Sequence, residues 1–218
     1  MIPHSRATRA RASIRSFAVT RFVLLILLCA STCLVSACQK ELAPQWKMAD
    51  VSGHLPDLAF SLTDDNSKAV TAADYQGHIT LLYFGYTHCP DVCPLTLTHL
   101  HVILDRMGAA ADSIRILFVS VDPARDTPQV MHEYVHAFDK RAVGLSGPDS
   151  ELEALVKRYR ASYTRDPPKA DGSYEVDHSP TVYVFDAKGR ARLIATPKST
   201  PDDVVHDLTL MTTLENAR

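Results

Sequence analysis

Continuous apolar runs alternate with helically spaced apolar positions along most of the chain. Ile79–Tyr83 and Ile114–Val121 are largely apolar and partly β-branched, which is typical of buried strands. In the stretch between them, residues 95–107, the apolar positions recur at helical spacing and predict a helix. Asp126-Thr127-Pro128 predicts the start of the next helix, which reaches about Phe138, because a capping residue directly precedes a first-turn proline.

The remaining elements follow from the same patterns. Leu58–Leu62 and Ala69–Val70 flank a polar turn and predict a hairpin. Further predicted elements are a strand at Val143–Leu145, a helix capped by Ser150 that reaches about Tyr159, a hairpin of Thr181–Phe185 with Arg192–Ala195, and a helix from Pro201 to about Met211. This alternation indicates an α/β fold with a central mixed sheet flanked by helices and an N-terminal β-hairpin.

Residues 1–37 have the features of an export signal. Five arginines and no acidic residue accompany an apolar run from Phe22 to Leu28, and small residues lead to Ala37. Cys38 follows at once, as in a bacterial lipobox, so we expect a lipidated N-terminus at Cys38. The alternative is an uncleaved anchor, although the apolar stretch is shorter than the roughly 20 residues of a membrane span. Both alternatives make residues 38–52 a membrane tether and residues 53–218 a domain that faces the periplasm.

Removal of the leader changes the charge and the set of cysteines. The rest of the chain has 18 basic and 25 acidic residues, a formal charge of −7, so nucleic acid is not expected as a partner. Cys29 and Cys33 lie in the leader, and Cys38 is assigned to the lipid. Cys89 and Cys93 are the pair that remains, and a bridge over four positions would constrain the unfolded chain too little for a purely structural disulfide.

The loop that carries these cysteines, Gly85–Pro94, leaves a predicted strand and enters a predicted helix. Ligand sites in α/β folds gather at this edge, and a helix N-terminus favours thiolates. Two cysteines at this position indicate a thioredoxin-like arrangement, but three residues separate them instead of the usual two. The wider gap suits one metal ion between two sulfurs, and two thiolates select Cu(I), or zinc with more ligands.

His178 is the best candidate for a third ligand. In a thioredoxin-like fold, the loop that precedes the late hairpin lies beside the cysteine loop, and His178 occupies that loop. Imidazole suits copper in either oxidation state. The following pair, Pro180-Thr181, resembles the cis-proline–threonine pair that faces the cysteines in thioredoxin-like proteins.

Three ordered stretches resemble the Sco/SenC family: Tyr83–Pro94, Ser120–Pro128 and Asp177–Ser179. The resemblance implies a copper chaperone for cytochrome c oxidase, with one copper ion, Cu(I) or Cu(II), on Cys89, Cys93 and His178, and a redox-active Cys89–Cys93 disulfide. It also implies delivery to the dinuclear copper site of oxidase subunit II, reduction of that subunit's cysteines, and a copper donor and a thiol reductant as partners. Pro180 departs from the family pattern, which leaves open a shifted histidine loop or added reductase character.

Other functions fit parts of the same sequence. The main alternative to an assembly factor is a metal-independent thiol–disulfide oxidoreductase that uses Cys89 and Cys93. A thiol peroxidase is a weaker alternative, because no distinct peroxidatic cysteine is evident. The segment from His132 to His136 matches H-E-x-x-H, the zinc motif of metalloproteases. The domain is small for that architecture and no clear third ligand follows, so a solvated helix face is the favoured interpretation.

Two further groups of polar residues surround the predicted site. His88, His99 and His101 lie near the cysteine loop and are expected on the surface. Asp122, Arg125 and Asp126 are expected to form a local turn network with a structural role.

Overall fold

Two parallel strands, β4 (Ile79–Gly85) and β5 (Ile114–Ser120), lie at the centre of an eight-stranded mixed sheet. The structure is a computed structural model that describes residues 44–217. All residues of β4 are buried, and in β5 only Arg115 is partly exposed. Strands that are covered on both faces read as continuous apolar runs, which is why the sequence predicted them well.

The other elements complete the sheet and its helical layers. The strands are β1 (Ala49–Asp50), β2 (Ser61–Asp64), β3 (Ala69–Thr71), β6 (Ala142–Ser146), β7 (Tyr163–Arg165), β8 (Val176–His178), β9 (Val182–Phe185) and β10 (Ala191–Ala195). The helices are α1 (Val92–Met107), α2 (Pro128–Phe138), α3 (Asp149–Arg158) and α4 (Pro201–Asn216). Short 3-10 helices cover Ala72–Tyr75 and Gly108–Ser113.

The large sheet has the strand order β1-β10-β9-β4-β5-β6-β2-β3, while β7 and β8 form a separate two-stranded sheet. β5 also pairs in parallel with β6, whereas β9 pairs with β4 in the antiparallel direction. Helix α1 contacts α4, and α2 packs against β6. The predicted mixed α/β class is therefore confirmed, including the N-terminal hairpin formed by β2 and β3.

Two helix ends differ from their predictions. Helix α3 begins at Asp149 with Pro148 as its N-cap, so Ser150 lies inside the first turn and does not cap it. The Pro148 carbonyl accepts the Leu152 N–H at 3.1 Å, which starts the helix two residues earlier than predicted. Helix α4 continues to Asn216, five residues beyond Met211, and Leu214 is the single apolar residue in that extension.

The N-terminal boundary of the domain also differs. Residues 38–52 were predicted to be a tether, but the compact unit begins at Gln45, and β1 pairs with β10. The buried carboxylate of Asp207 accepts the backbone N–H groups of Lys47 and Met48 at 2.9 and 2.7 Å. The sequence did not reveal this attachment, because it consists of backbone hydrogen bonds to a carboxylate about 160 residues away.

The predicted leader, residues 1–37, and the predicted lipidation site, Cys38, lie outside the described residues. Within residues 44–217, no helix combines the length and the apolar character that crossing a membrane requires. The export signal and the lipid anchor therefore stay predictions.

Candidate metal centre

The cysteine loop and the end of strand β8 meet at the carboxyl end of β4, so His178 lies in a short strand and not in the loop predicted for it. The cysteine loop leaves β4 at Gly85 and enters α1 at Val92, while His178 is the last residue of β8. Cys89, Cys93 and His178 are all buried, and their sulfur and ring nitrogen atoms lie within 4.8 Å of one another. The structure thus brings together the three residues that the sequence predicted as ligands.

The contacts inside this cluster direct the three potential metal-ligand atoms towards each other. The Cys93 Sγ lies 3.2 Å from the His178 Nε2, and the Cys93 backbone N–H donates to the Cys89 Sγ at 3.4 Å. The His178 Nδ1 faces the Ser179 carbonyl oxygen at 3.4 Å. A proton on Nδ1 leaves the Nε2 lone pair free to bind a metal ion, which is the usual arrangement of a metal-binding imidazole. Both cysteines are free thiols.

Two tyrosines enclose the imidazole. The rings of Tyr83 and Tyr86 meet the His178 ring edge-on, with centroids 5.9 and 5.8 Å away. The Tyr83 hydroxyl also donates towards the Cys93 Sγ at 3.7 Å. These contacts limit the rotation of the imidazole and keep its Nε2 beside the sulfur.

Burial controls the protonation of the cluster. Desolvation raises the pKa of the Cys93 thiol to about 12, and desolvation lowers the pKa of His178. Both groups are therefore neutral at pH 7, since burial disfavours their charged forms. A bound cation would shift the equilibrium of Cys93 from thiol to thiolate, because its positive charge stabilises a thiolate. Without a cation, Cys93 is a poor nucleophile at neutral pH.

Gly85 makes room for the cluster, a role that the sequence pattern does not reveal. A Cβ atom at this position would lie 2.8 Å from the Cys93 Sγ and 2.7 Å from the Cε2 of Phe118. A side chain at residue 85 would therefore displace the first turn of α1 or the Phe118 ring.

Asp126 connects the cysteine loop to the end of β5 through hydrogen bonds. Its carboxylate accepts the Thr87 backbone N–H at 3.0 Å, the Thr87 hydroxyl at 2.6 Å and the Ser120 hydroxyl at 2.6 Å. The predicted turn network is thus structural, but it also orients the loop that carries the cysteines.

Asp122 and Arg125 hold the chain segment that leads to His178. The Tyr174 hydroxyl donates to Asp122 at 2.7 Å, and the Arg125 guanidinium donates to the Tyr174 carbonyl at 3.0 Å. That guanidinium also stacks over the Tyr174 ring, 3.6 Å from its centroid. One sequence motif, from Ser120 to Pro128, therefore supports both the cysteine loop and the segment that carries His178.

Pro180 does not occupy the predicted cis-proline position. No peptide bond among residues 44–217 is cis, so the resemblance to a cis-proline–threonine pair is wrong. Residues 179–181 connect β8 to β9 without forming a turn, and a tight turn is where a cis bond is usually found. The Pro180 ring is exposed and lines a groove of ≈ 410 Å³ together with Val92 and His99.

The three other histidines predicted near the cysteine loop are not members of the cysteine cluster. The half-exposed His88 pairs with Asp126 at 3.6 Å, His99 is exposed, and His101 contacts Asp139 at 3.0 Å. The predicted surface positions of His88 and His99 are confirmed, whereas His101 is half-buried.

The H-E-x-x-H motif has a neighbouring carboxylate that is distant in the sequence. No third ligand follows the motif in the sequence, but Asp65, which precedes it by more than sixty residues, lies beside His132 and His136. Asp65 is in the turn between β2 and β3, so only the tertiary fold brings it to α2.

Comparison with known proteins identifies relatives of the whole domain. The SCO1/SenC family model matches residues 52–213. The protein sco1 of Schizosaccharomyces pombe is 37% identical over 151 residues, which are 67% of this chain and 57% of that protein. The chain spans 38% to 64% of the length of three curated relatives, from Schizosaccharomyces pombe, Arabidopsis thaliana and Rickettsia prowazekii.

Two solved structures share the fold. Bradyrhizobium japonicum ScoI with copper bound is 41% identical, with a TM-score of 0.65 over 72% of this chain and 99% of that one. Arabidopsis thaliana ScoI with copper bound is 33% identical, with a TM-score of 0.67 over 72% of this chain and 98% of that one. These matches confirm the predicted thioredoxin-like fold. Because the family model also covers more than half of the sequence, the chain belongs to the SCO1/SenC family.

Proposed function

We propose that this protein is a copper chaperone that binds one copper ion on Cys89, Cys93 and His178 and delivers it to the dinuclear copper site of cytochrome c oxidase subunit II. The observation that carries the proposal is the convergence of two sulfurs and one imidazole nitrogen within 4.8 Å in a buried pocket. Two soft thiolate ligands favour Cu(I), and the imidazole suits both oxidation states. Two relatives with the same fold have copper bound in their solved structures.

Delivery requires that the ion be held and then released. Both steps are possible because the ligands come from two separate segments of the chain. The two cysteines flank the start of α1, whereas His178 belongs to the small two-stranded sheet. Movement of the histidine segment away from Cys93 would leave two ligands and weaken the site. The bonds from Asp122 and Arg125 to Tyr174 restrain that segment, so contacts made by a docked acceptor would have to compete with them.

A second role is reduction of the acceptor's cysteines. In that reaction the Cys89 and Cys93 thiols form a disulfide, and two electrons and two protons pass to a disulfide of subunit II, which becomes a dithiol. A separate thiol reductant restores the pair. The alternative of a metal-independent oxidoreductase is less well supported, because two relatives with the same fold have copper bound in their solved structures.

Copper titration of the reduced protein without residues 1–38 tests the ligand assignment. We expect about one Cu(I) per chain in competition with a Cu(I) chelator. Since loss of a group that merely supports a ligand costs 10–100-fold in metal affinity, Cys89→Ser, Cys93→Ser and His178→Ala should each lower the affinity by more than about 100-fold. His99→Ala, an exposed position on α1, is the matched control and should bind as the original chain does. Unchanged binding in Cys89→Ser or His178→Ala would refute the assignment.

The His178→Ala variant also separates the two functions. A dithiol can exchange with a disulfide without this imidazole, so the variant should lose copper affinity and still reduce a model disulfide. If the reduced chain with all ligands intact bound no copper, the oxidoreductase would be the better description.

Copper affinity should rise with pH, because copper binding displaces a proton from the buried Cys93 thiol. Because Cys93 is protonated at neutral pH, copper must displace at least one proton, and the apparent affinity should increase by about tenfold or more between pH 7 and pH 8. His178 does not contribute to the pH dependence of copper affinity in this range, since burial lowers its pKa and keeps it neutral. Competition titrations at the two pH values measure the slope, and an affinity independent of pH would contradict the assigned protonation.

We also propose that the domain is tethered to a membrane by a lipid on Cys38 and faces the periplasm. The support is the arginine-rich, apolar leader that ends in Ala37-Cys38. Metabolic labelling with palmitate should mark the full chain but not Cys38→Ser, and equal labelling of the two would exclude this attachment.

A further inference from the structure

A second cluster of potential ligands lies between α2 and the β2–β3 turn. His132 and His136 are one helical turn apart, with ring centroids separated by 4.3 Å. The Asp65 Oδ2 lies 3.5 Å from the His136 Nε2 and 3.8 Å from the His132 Nδ1. One donor atom from each of the three residues lies within 4.8 Å of the other two.

The Asp65 carboxylate is fixed before any ion binds. It is buried, and its Oδ2 accepts the Gly144 backbone N–H at 3.1 Å while its Oδ1 accepts the Asn66 amide at 2.9 Å. These bonds orient an anionic ligand towards the two imidazoles, as outer contacts do in metal sites. Both histidines are partly exposed, so an ion can enter from solvent.

A comparable cluster elsewhere shows what distinguishes this one. His101, Asp105 and Asp139 also lie together, but Arg141 bonds to both carboxylates, at 3.3 and 2.6 Å. In that cluster the Arg141 guanidinium already neutralises the carboxylates. Within the part of the chain that the structure describes, no lysine or arginine forms an ion pair with Asp65, and the two imidazoles lie beside its carboxylate.

We propose that Asp65, His132 and His136 bind one divalent transition-metal ion, Zn²⁺ or Cu²⁺, at a site that shares no residue with the cysteine centre. Two imidazoles and a carboxylate suit these borderline ions, whereas the absence of sulfur makes the trio a poor ligand set for Cu(I). Three protein ligands leave a coordination position for water. Glu133 accepts a hydrogen bond from Gln129 at 3.2 Å and is not a member of the ligand trio.

Zinc is the probe for this site, because it undergoes no redox chemistry. The background is the protein without residues 1–38 that carries Cys89→Ser and Cys93→Ser, so that neither thiol contributes. We expect calorimetric titration to find about one Zn²⁺ per chain. Adding His132→Ala, His136→Ala or Asp65→Asn should weaken binding by at least about tenfold. Glu133→Gln removes a negative charge from the same helix without removing a ligand and should bind as the background does.

Stability measurements give an independent readout. An ion that bridges α2 and the β2–β3 turn binds the folded state, so Zn²⁺ should raise the thermal midpoint of the background protein. His132 and His136 are on the surface, so their alanine variants should fold normally and lose this rise. The proposal is overturned if the background binds no Zn²⁺, or if both histidine variants bind it as the background does. Neither outcome depends on the cysteine centre, which the background lacks.

Discussion

Strand β4 is the constraint on which the rest of the site depends. It pairs with β5 on one side and β9 on the other, and all its residues are buried. Its carboxyl end positions the cysteine loop, and its residue Tyr83 contacts both Cys93 and His178. Gly85, the last residue of the strand, permits the approach of the Cys93 sulfur. A shift of β4 would therefore displace the cysteine loop and the aromatic contact to the imidazole together.

Burial gives this site its chemical character. The pocket disfavours charge on both Cys93 and His178, so the metal-free centre is held as a neutral thiol beside a neutral imidazole. A cation relieves part of that cost when a proton leaves the sulfur, because the new thiolate is then paired inside the pocket. Metal binding and deprotonation of Cys93 are thus coupled through desolvation, and the same desolvation limits the thiolate fraction of Cys93 when no metal is bound.

The sequence predicted what depends on local pattern and missed what depends on distant contacts. The buried strands and the start of α2 follow from apolar runs and a Thr-Pro cap, and His178 follows from the expected loop order. The attachment of Lys47 and Met48 to Asp207, the meeting of Asp65 with α2 and the role of Gly85 arise only in three dimensions. The resemblance to a cis-proline pair failed because residue identity alone does not determine the peptide isomer.

X-ray absorption spectroscopy of the protein loaded with one equivalent of Cu(I) tests the central claim most directly. The account predicts two sulfur scatterers and one imidazole nitrogen in the first coordination shell. In His178→Ala the imidazole contribution should disappear while the two sulfurs remain. A first shell made only of nitrogen and oxygen, or the same imidazole signal in His178→Ala, would contradict a copper centre built from Cys89, Cys93 and His178.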